Sequence, residues 1–173
     1  FQFPTVSPSE VGKTEVDLRS VAIKTDGTIV VGDITRKVLT EHSPTGGELK
    51  STVPVKIAPH FLAVDIDDRV VVSAYTSKTV AVVYSNGAEL FTVKPLINDQ
   101  PVQYCNGVCA DQSGIYVAAV NDDNAGHIHH YDTRGRFLKC IARGLHWPLG
   151  LTFASDGQLA VADRYSVKIY HEV

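Results

Sequence analysis

Two groups of residues in this sequence could do chemistry. The first is a set of cations and aromatics in polar connecting stretches: Arg19, Arg36, Lys37, Lys56, His60, Lys78, Lys94, Tyr104, Arg143, His146, Trp147, Arg164 and Tyr165. Cations neutralise phosphates, and aromatic rings stack on unpaired bases at about 1 to 3 kcal/mol each, so the mixture suits single-stranded RNA. The same residues could instead hold a protein or peptide, and Asp33, Asp122, Asp123 and Asp163 dilute the positive field. The second group is His127-Ile128-His129-His130. Alternate residues of a strand share a face, and imidazoles ligate zinc. Beyond Asp132, however, no carboxylate or Cys nearby in sequence completes a set, so the reading is no metal and no cofactor.

Composition narrows the classes. The 173 residues are 44% hydrophobic, enough for one folded domain with a substantial core. A net charge of -3 and a pI near 6.1 argue against DNA as partner, so any polyanion site must be local. Cys105, Cys109 and Cys140 are an odd set without C-x-x-C spacing, which indicates neither a disulfide framework nor a zinc module and favours a reducing, cytoplasmic setting. Neither Cys105 nor Cys109 has a His or Asp pairing that would make it a nucleophile, and the chain reads as a non-enzyme. No apolar run approaches the roughly 20 residues that would span a bilayer. With no Met and Phe1 first, the sequence reads as a segment of a longer protein.

The elements that must position these groups follow from a repeat. Val21 to Val31, Leu62 to Val72, Val108 to Val117 and Leu151 to Val161 each read as a short strand, a turn and a β-branched strand. The turn positions 27, 68, 114 and 157 are separated by 41, 46 and 43 residues. A period of about 43 residues with roughly four short strands per unit is the pattern of β-propeller blades. Small residues, Ala22, Ala63, Cys109 and Thr152, sit where innermost strands crowd a central channel. Blades are expected at about 18–53, 58–93, 104–141 and 147–173, within one domain over 1–173. The last unit lacks a fourth strand, and residues 1–6 (Phe1 to Val6) are expected to supply it, closing a four-bladed ring and removing two sheet edges. The alternative is a four-blade piece of a six-bladed ring.

In such a fold the loops leading into each first strand and those joining second to third strands share one face. That face would collect Lys56, His60, Lys94, Tyr104, Arg143, His146 and Trp147 from the former, and Arg36, Lys37, Lys78, Arg164 and Tyr165 from the latter. Arg19, His60, Asn106 and Leu149 occupy equivalent repeat positions and should circle the channel mouth.

Trp147-Pro148-Leu149-Gly150-Leu151-Thr152-Phe153, then Asp156-Gly157 and Val161-Ala162-Asp163, then Val167-Lys168-Ile169-Tyr170, closely resembles an NHL repeat. Such repeats carry P-x-G, a D-G turn, a V-x-D ending and a later I-x-[VF]-[FY] strand. Weaker copies keep Asp33, Pro59 and Gly107. The chain is similar to the NHL propellers of tripartite-motif proteins, whose rings are usually six-bladed. The resemblance implies a module that binds RNA or protein within a ubiquitin ligase whose RING is not in this sequence. Single-stranded RNA is the first expectation for the partner, and a protein recruited for ubiquitination is the second.

Overall fold

The computed structural model describes residues 2–121 and 125–171, with strands, turns and loops and no helix among them. Strands β1 (Leu18–Ile23), β2 (Ile29–Asp33), β3 (Val38–His42) and β4 (Leu49–Pro54) form a four-stranded antiparallel sheet in chain order. A second sheet repeats the order with β5 (Phe61–Val64), β6 (Val70–Ser73), β7 (Val80–Val83) and β8 (Glu89–Val93). A small hairpin of β9 (Leu96–Ile97) and β10 (Gln100–Pro101) follows. The third sheet holds β11 (Tyr104–Asp111), β12 (Gly114–Val120), β13 (Ala125–Tyr131) and β14 (Phe137–His146). The last has three strands, β15 (Gly150–Phe153), β16 (Leu159–Ala162) and β17 (Val167–Tyr170). These sheets are the blades of a four-blade β-propeller arrangement, with innermost strands β1, β5, β11 and β15 packed in that order.

Central strands show why the hydrophobic runs are continuous rather than alternating. Every residue of β6, β7 and β12 is buried, because the sheets on both sides cover both faces of the strand. The turn that opens each repeat is also uniform. Gly27 (φ 82°), Asp68 (φ 58°), Gly114 (φ 144°) and Gly157 (φ 82°) all have positive φ, a region that favours Gly and tolerates Asp. Asp68 is itself tied to the neighbouring blade, since its carboxylate accepts from the Thr25 amide at 2.8 Å and hydroxyl at 2.6 Å.

Three apolar clusters fill the spaces between neighbouring blades. Val30, Leu39, Val70 and Val72 join the first two, Val71, Val82, Val117 and Ala119 the second and third, and Tyr116, Ile128, Leu159 and Val161 the last two. Near the channel each space is also crossed by a donated hydrogen bond. Ser20 Oγ donates to the Pro59 carbonyl (2.8 Å), Ser73 Oγ lies 2.7 and 2.6 Å from the Cys105 and Asn106 carbonyls, and Asn106 Nδ2 donates to the Pro148 carbonyl (2.9 Å).

Among the described residues the expected closing strand is not formed. Blade 4 has three strands, and residues 2–6 lie against blade 1; Phe1 is outside the described residues. The Phe3 ring centroid is 4.7 Å from that of His42, the Phe3 ring occupies the space beside Gly47, and Arg36 donates to the Thr5 carbonyl at 3.2 Å. Those contacts seat the segment on the outward face of blade 1, burying Thr5 and Val6, instead of beside β17. The outward side of the innermost strand of blade 1 and of β17 in blade 4 remains exposed, with Val21 at 62%, Ile23 at 65%, Val167 at 67% and Ile169 at 48%. The arrangement is therefore an arc open between blade 4 and blade 1.

Close approach at the channel gives a direct test. A Cβ on Gly107 would sit 2.1 Å from the Leu149 carbonyl oxygen, so backbone would have to move, whereas one on Gly150 would meet Ala162 at an ordinary 3.5 Å. Gly107→Ala is expected to cost about 1–3 kcal/mol in urea unfolding, and Gly150→Ala much less. Equal loss in the two variants would contradict the close contact of blades 3 and 4.

Candidate functional site

The loop face is organised by a row of rings. Tyr75 comes from the β6–β7 loop, Tyr104 opens β11, and Trp147 links β14 to β15 with φ 49°. Tyr75 and Tyr104 stack at 4.7 Å between centroids, and Trp147 lies 5.8 Å from Tyr75 and 5.1 Å from Tyr104. His60 approaches Tyr75 at 6.5 Å, and its Nδ1 is 3.1 Å from the Ala58 carbonyl. The row thus runs across blades 2, 3 and 4, with its rings half-buried against each other.

At the blade 4 end the row becomes an open patch. The Asp163 carboxylate accepts from the Tyr165 amide (3.0 Å), the Ser166 amide (2.9 Å) and the Lys168 ammonium. The Lys168 hydrogen bond, with help from these amides, holds the Asp163 carboxyl well below the usual carboxylate range despite desolvation. A fixed turn follows, and it presents Tyr165 at 73% exposure, with Arg164 5.9 Å over its ring and His146 5.2 Å away. Trp147, Leu149, Asp163 and Arg164 line an open cavity of about 500 Å³ beside it.

The remaining expected residues are distributed unevenly. Arg19, His60 and Leu149 do line one cavity of about 200 Å³ along the inner strands, whereas Asn106 is buried and bound to the next blade. Three of the eight offered lysines and arginines have carboxylate partners. Arg19 Nε is 2.7 Å from Asp17, Arg36 Nε 2.6 Å from the buried Asp33, and Lys56 Nζ 3.3 Å from Glu89. Arg36 is thus a structural clasp at the β2–β3 turn. Lys37 and Lys78 are exposed with φ 53° and 55°. Asp122 and Asp123 are outside the described residues. Arg143 lies on β14, away from the loops, where it joins Lys94 in lining a separate cavity.

That separate cavity, of about 430 Å³, is bounded by the outer strands of blade 3 and the β9–β10 hairpin. His127, His129 and Cys140 face it together, with Asn98 and Asp99 across from them. Burial, together with nearby His127 and Arg143, lowers the His129 pKa to about 4, so its ring is neutral at pH 7. Cys140 and the hairpin are the residues that sequence reasoning passed over. The one local signal was Asn98-Asp99, two residue types that tolerate the left-handed backbone they adopt here (φ 52° and 61°).

Comparison with solved structures settles the fold. It is that of a β-propeller. A gluconolactonase from Xanthomonas campestris superposes with TM-score 0.72 at 16% identity, covering 90% of this chain and 58% of that one. A nidogen/laminin complex matches with TM-score 0.70 at 22% identity, over 84% of this chain and 56% of its own. Hydrazine synthase from Kuenenia stuttgartiensis gives 0.68 at 18% identity, over 92% and 52%. The chain spans about half the length of these structures. No family model and no curated protein matches the chain.

The Asp33–Arg36 clasp yields a pH prediction. Burial raises the Asp33 carboxyl, but hydrogen bonds from the Arg36 side chain and from the Arg36 and Asp17 amides outweigh it and leave the pKa lowered. A carboxylate more acidic folded than unfolded adds stability above the unfolded value of about 3.9 and loses it as pH falls through the folded value. Asp33→Asn should therefore lower the thermal midpoint at pH 7 and narrow its gap to wild type as pH falls below about 4. A pH-independent gap would contradict the clasp.

Proposed function

We propose that the chain is a protein-binding propeller module whose contact surface is the loop-face patch around Tyr165, Trp147 and Leu149. The observation that carries this reading is an exposed aromatic beside an apolar-walled cavity, with Arg164, Asp163 and His146 at its edge. An apolar centre with a polar rim, rich in Tyr, Trp and Arg, is the usual make-up of a protein-binding hot spot. Carboxylates beside Arg19, Arg36 and Lys56 count against a surface built to hold phosphates. The nidogen/laminin complex among the structural matches is an assembly of proteins, which is in keeping with the reading.

The NHL-like stretch from Trp147 to Tyr170 builds this same corner. On that ground the finer proposal is a recruitment module of a tripartite-motif type, presenting a substrate protein to a RING outside this chain. Catalysis is not part of the role proposed for the loop face. A reducing, cytoplasmic setting suits the three free thiols.

The test is a displayed-peptide selection on the purified chain, followed by titration of the selected peptide. Tyr165→Ala and Trp147→Ala should each weaken binding at least about tenfold, the effect of losing a hot-spot side chain, while Lys37→Ala changes it little. A short single-stranded RNA pool is titrated in parallel at two salt concentrations. Saturable RNA binding that collapses with salt, with no peptide dependence on Tyr165, would overturn the proposal in favour of RNA.

A further inference from the structure

We infer that His127, His129 and Cys140 form a zinc(II) site whose open coordination position faces the cavity beneath the β9–β10 hairpin. His127 and His129 alternate along β13 and so share a face, and Cys140 stands directly across from His129 on β14. One ligand atom from each of the three lies within 4.8 Å of the others. Zinc bound by nitrogen at 2.0–2.1 Å and sulfur at about 2.3 Å in a tetrahedron separates its ligands by roughly 3.3–3.8 Å. The difference is within the reach of small side-chain rotations.

The backbone is irregular where the three converge. In the β13–β14 ladder, Gly126 pairs with Leu145, Ile128 with Ala142 and His129 with Cys140, so the register shifts on both sides of Ile128. A regular ladder running from Ile128–Ala142 would place Ile141 opposite His129. The shift brings Cys140 there instead, the kind of re-aiming for which bulges next to functional sites are known. His129 also has an outer partner, since Tyr131 OH lies 3.3 Å from its Nδ1. With Nδ1–H donating to that oxygen, Nε2 carries the lone pair for the metal.

Three protein ligands beside a cavity of about 430 Å³ leave a coordination position unfilled, the arrangement of a zinc site that exchanges ligands rather than a closed structural one. Lys94 and Arg143 outnumber Asp99 on the cavity wall, which favours an anion there, a small carboxylate or phosphate bound to the metal. The Cys140 thiol, now 3.2 Å from the Ala142 carbonyl, gives up its proton when it binds zinc. This site is independent of the loop-face reading, as it lies on the outer strands of blade 3.

Cobalt(II) and zinc(II) titrations of the chelator-treated full chain provide the test. The expected result is one ion per chain, a cobalt–thiolate charge-transfer band, and displacement of cobalt by zinc. Cys140→Ser should abolish the band, while Tyr131→Phe, which only removes the outer hydroxyl, should keep the band and weaken affinity about 10- to 100-fold. Circular dichroism confirms that both variants are folded. Failure of the folded wild-type chain to bind zinc at micromolar concentration, or a thiolate band that survives Cys140→Ser, would overturn the assignment.

Discussion

Everything in this molecule hangs on how closely one blade can approach the next beside the channel. The sheets are four-stranded or smaller, and an isolated sheet of that size is marginal, so stability comes from covering each sheet with its neighbours. That approach is limited by backbone, and the residues at the limit have no side chain to spare. Gly32 faces Ser20 Oγ and the Pro59 carbonyl, and Gly107 faces the Leu149 carbonyl, so a Cβ at either place would sit under 3 Å from its neighbour. Desolvated carbonyls created by such contact need donors, and Ser20, Ser73 and Asn106 supply them. Apolar clusters and polar ties therefore act together at each of the three junctions.

The loop face inherits its order from those junctions. Tyr75, Tyr104 and Trp147 come from three different blades and meet because the inner strands that carry or flank them are fixed against one another. Cations on the same face are constrained differently. Asp33 with Arg36 and Asp163 with Lys168 fasten the hairpins joining second and third strands, so the charges there maintain turn geometry. What remains available at the blade 4 corner is an aromatic and apolar surface with a charged edge.

Much of the fold was legible because the repeat is written in two strong signals. One is the positive-φ turn at 27, 68, 114 and 157, marked by Gly or Asp; the other is the Val- and Ile-rich second strand of the first three blades. The ends of the chain were less legible. Phe1 to Val6 has a strand-like pattern, but Phe3 finds a ring partner in His42 and a vacant side-chain position at Gly47, and these tertiary contacts outweigh local pattern. The β9–β10 hairpin escaped because strands of two residues carry no periodicity. Cys140 was invisible as a neighbour of His129 because the pairing depends on a register shift that no sequence spacing encodes. Asp17 and Asp33 lie two and three residues from Arg19 and Arg36, so the sequence offers these partners without showing that they pair, whereas Glu89 meets Lys56 only in the fold.

The central structural claim is that the blades form an open arc in which β17 is an edge strand and blades 2 and 3 are covered on both faces. Native-state hydrogen exchange measured peptide by peptide tests it most directly. Peptides from β6 and β12 should exchange only through global unfolding, while those from β17 and β1 exchange orders of magnitude faster, with outward-pointing amides of β17 the least protected. Protection of β17 equal to that of β7 would mean that another strand lies along its edge, and the open arrangement would be wrong.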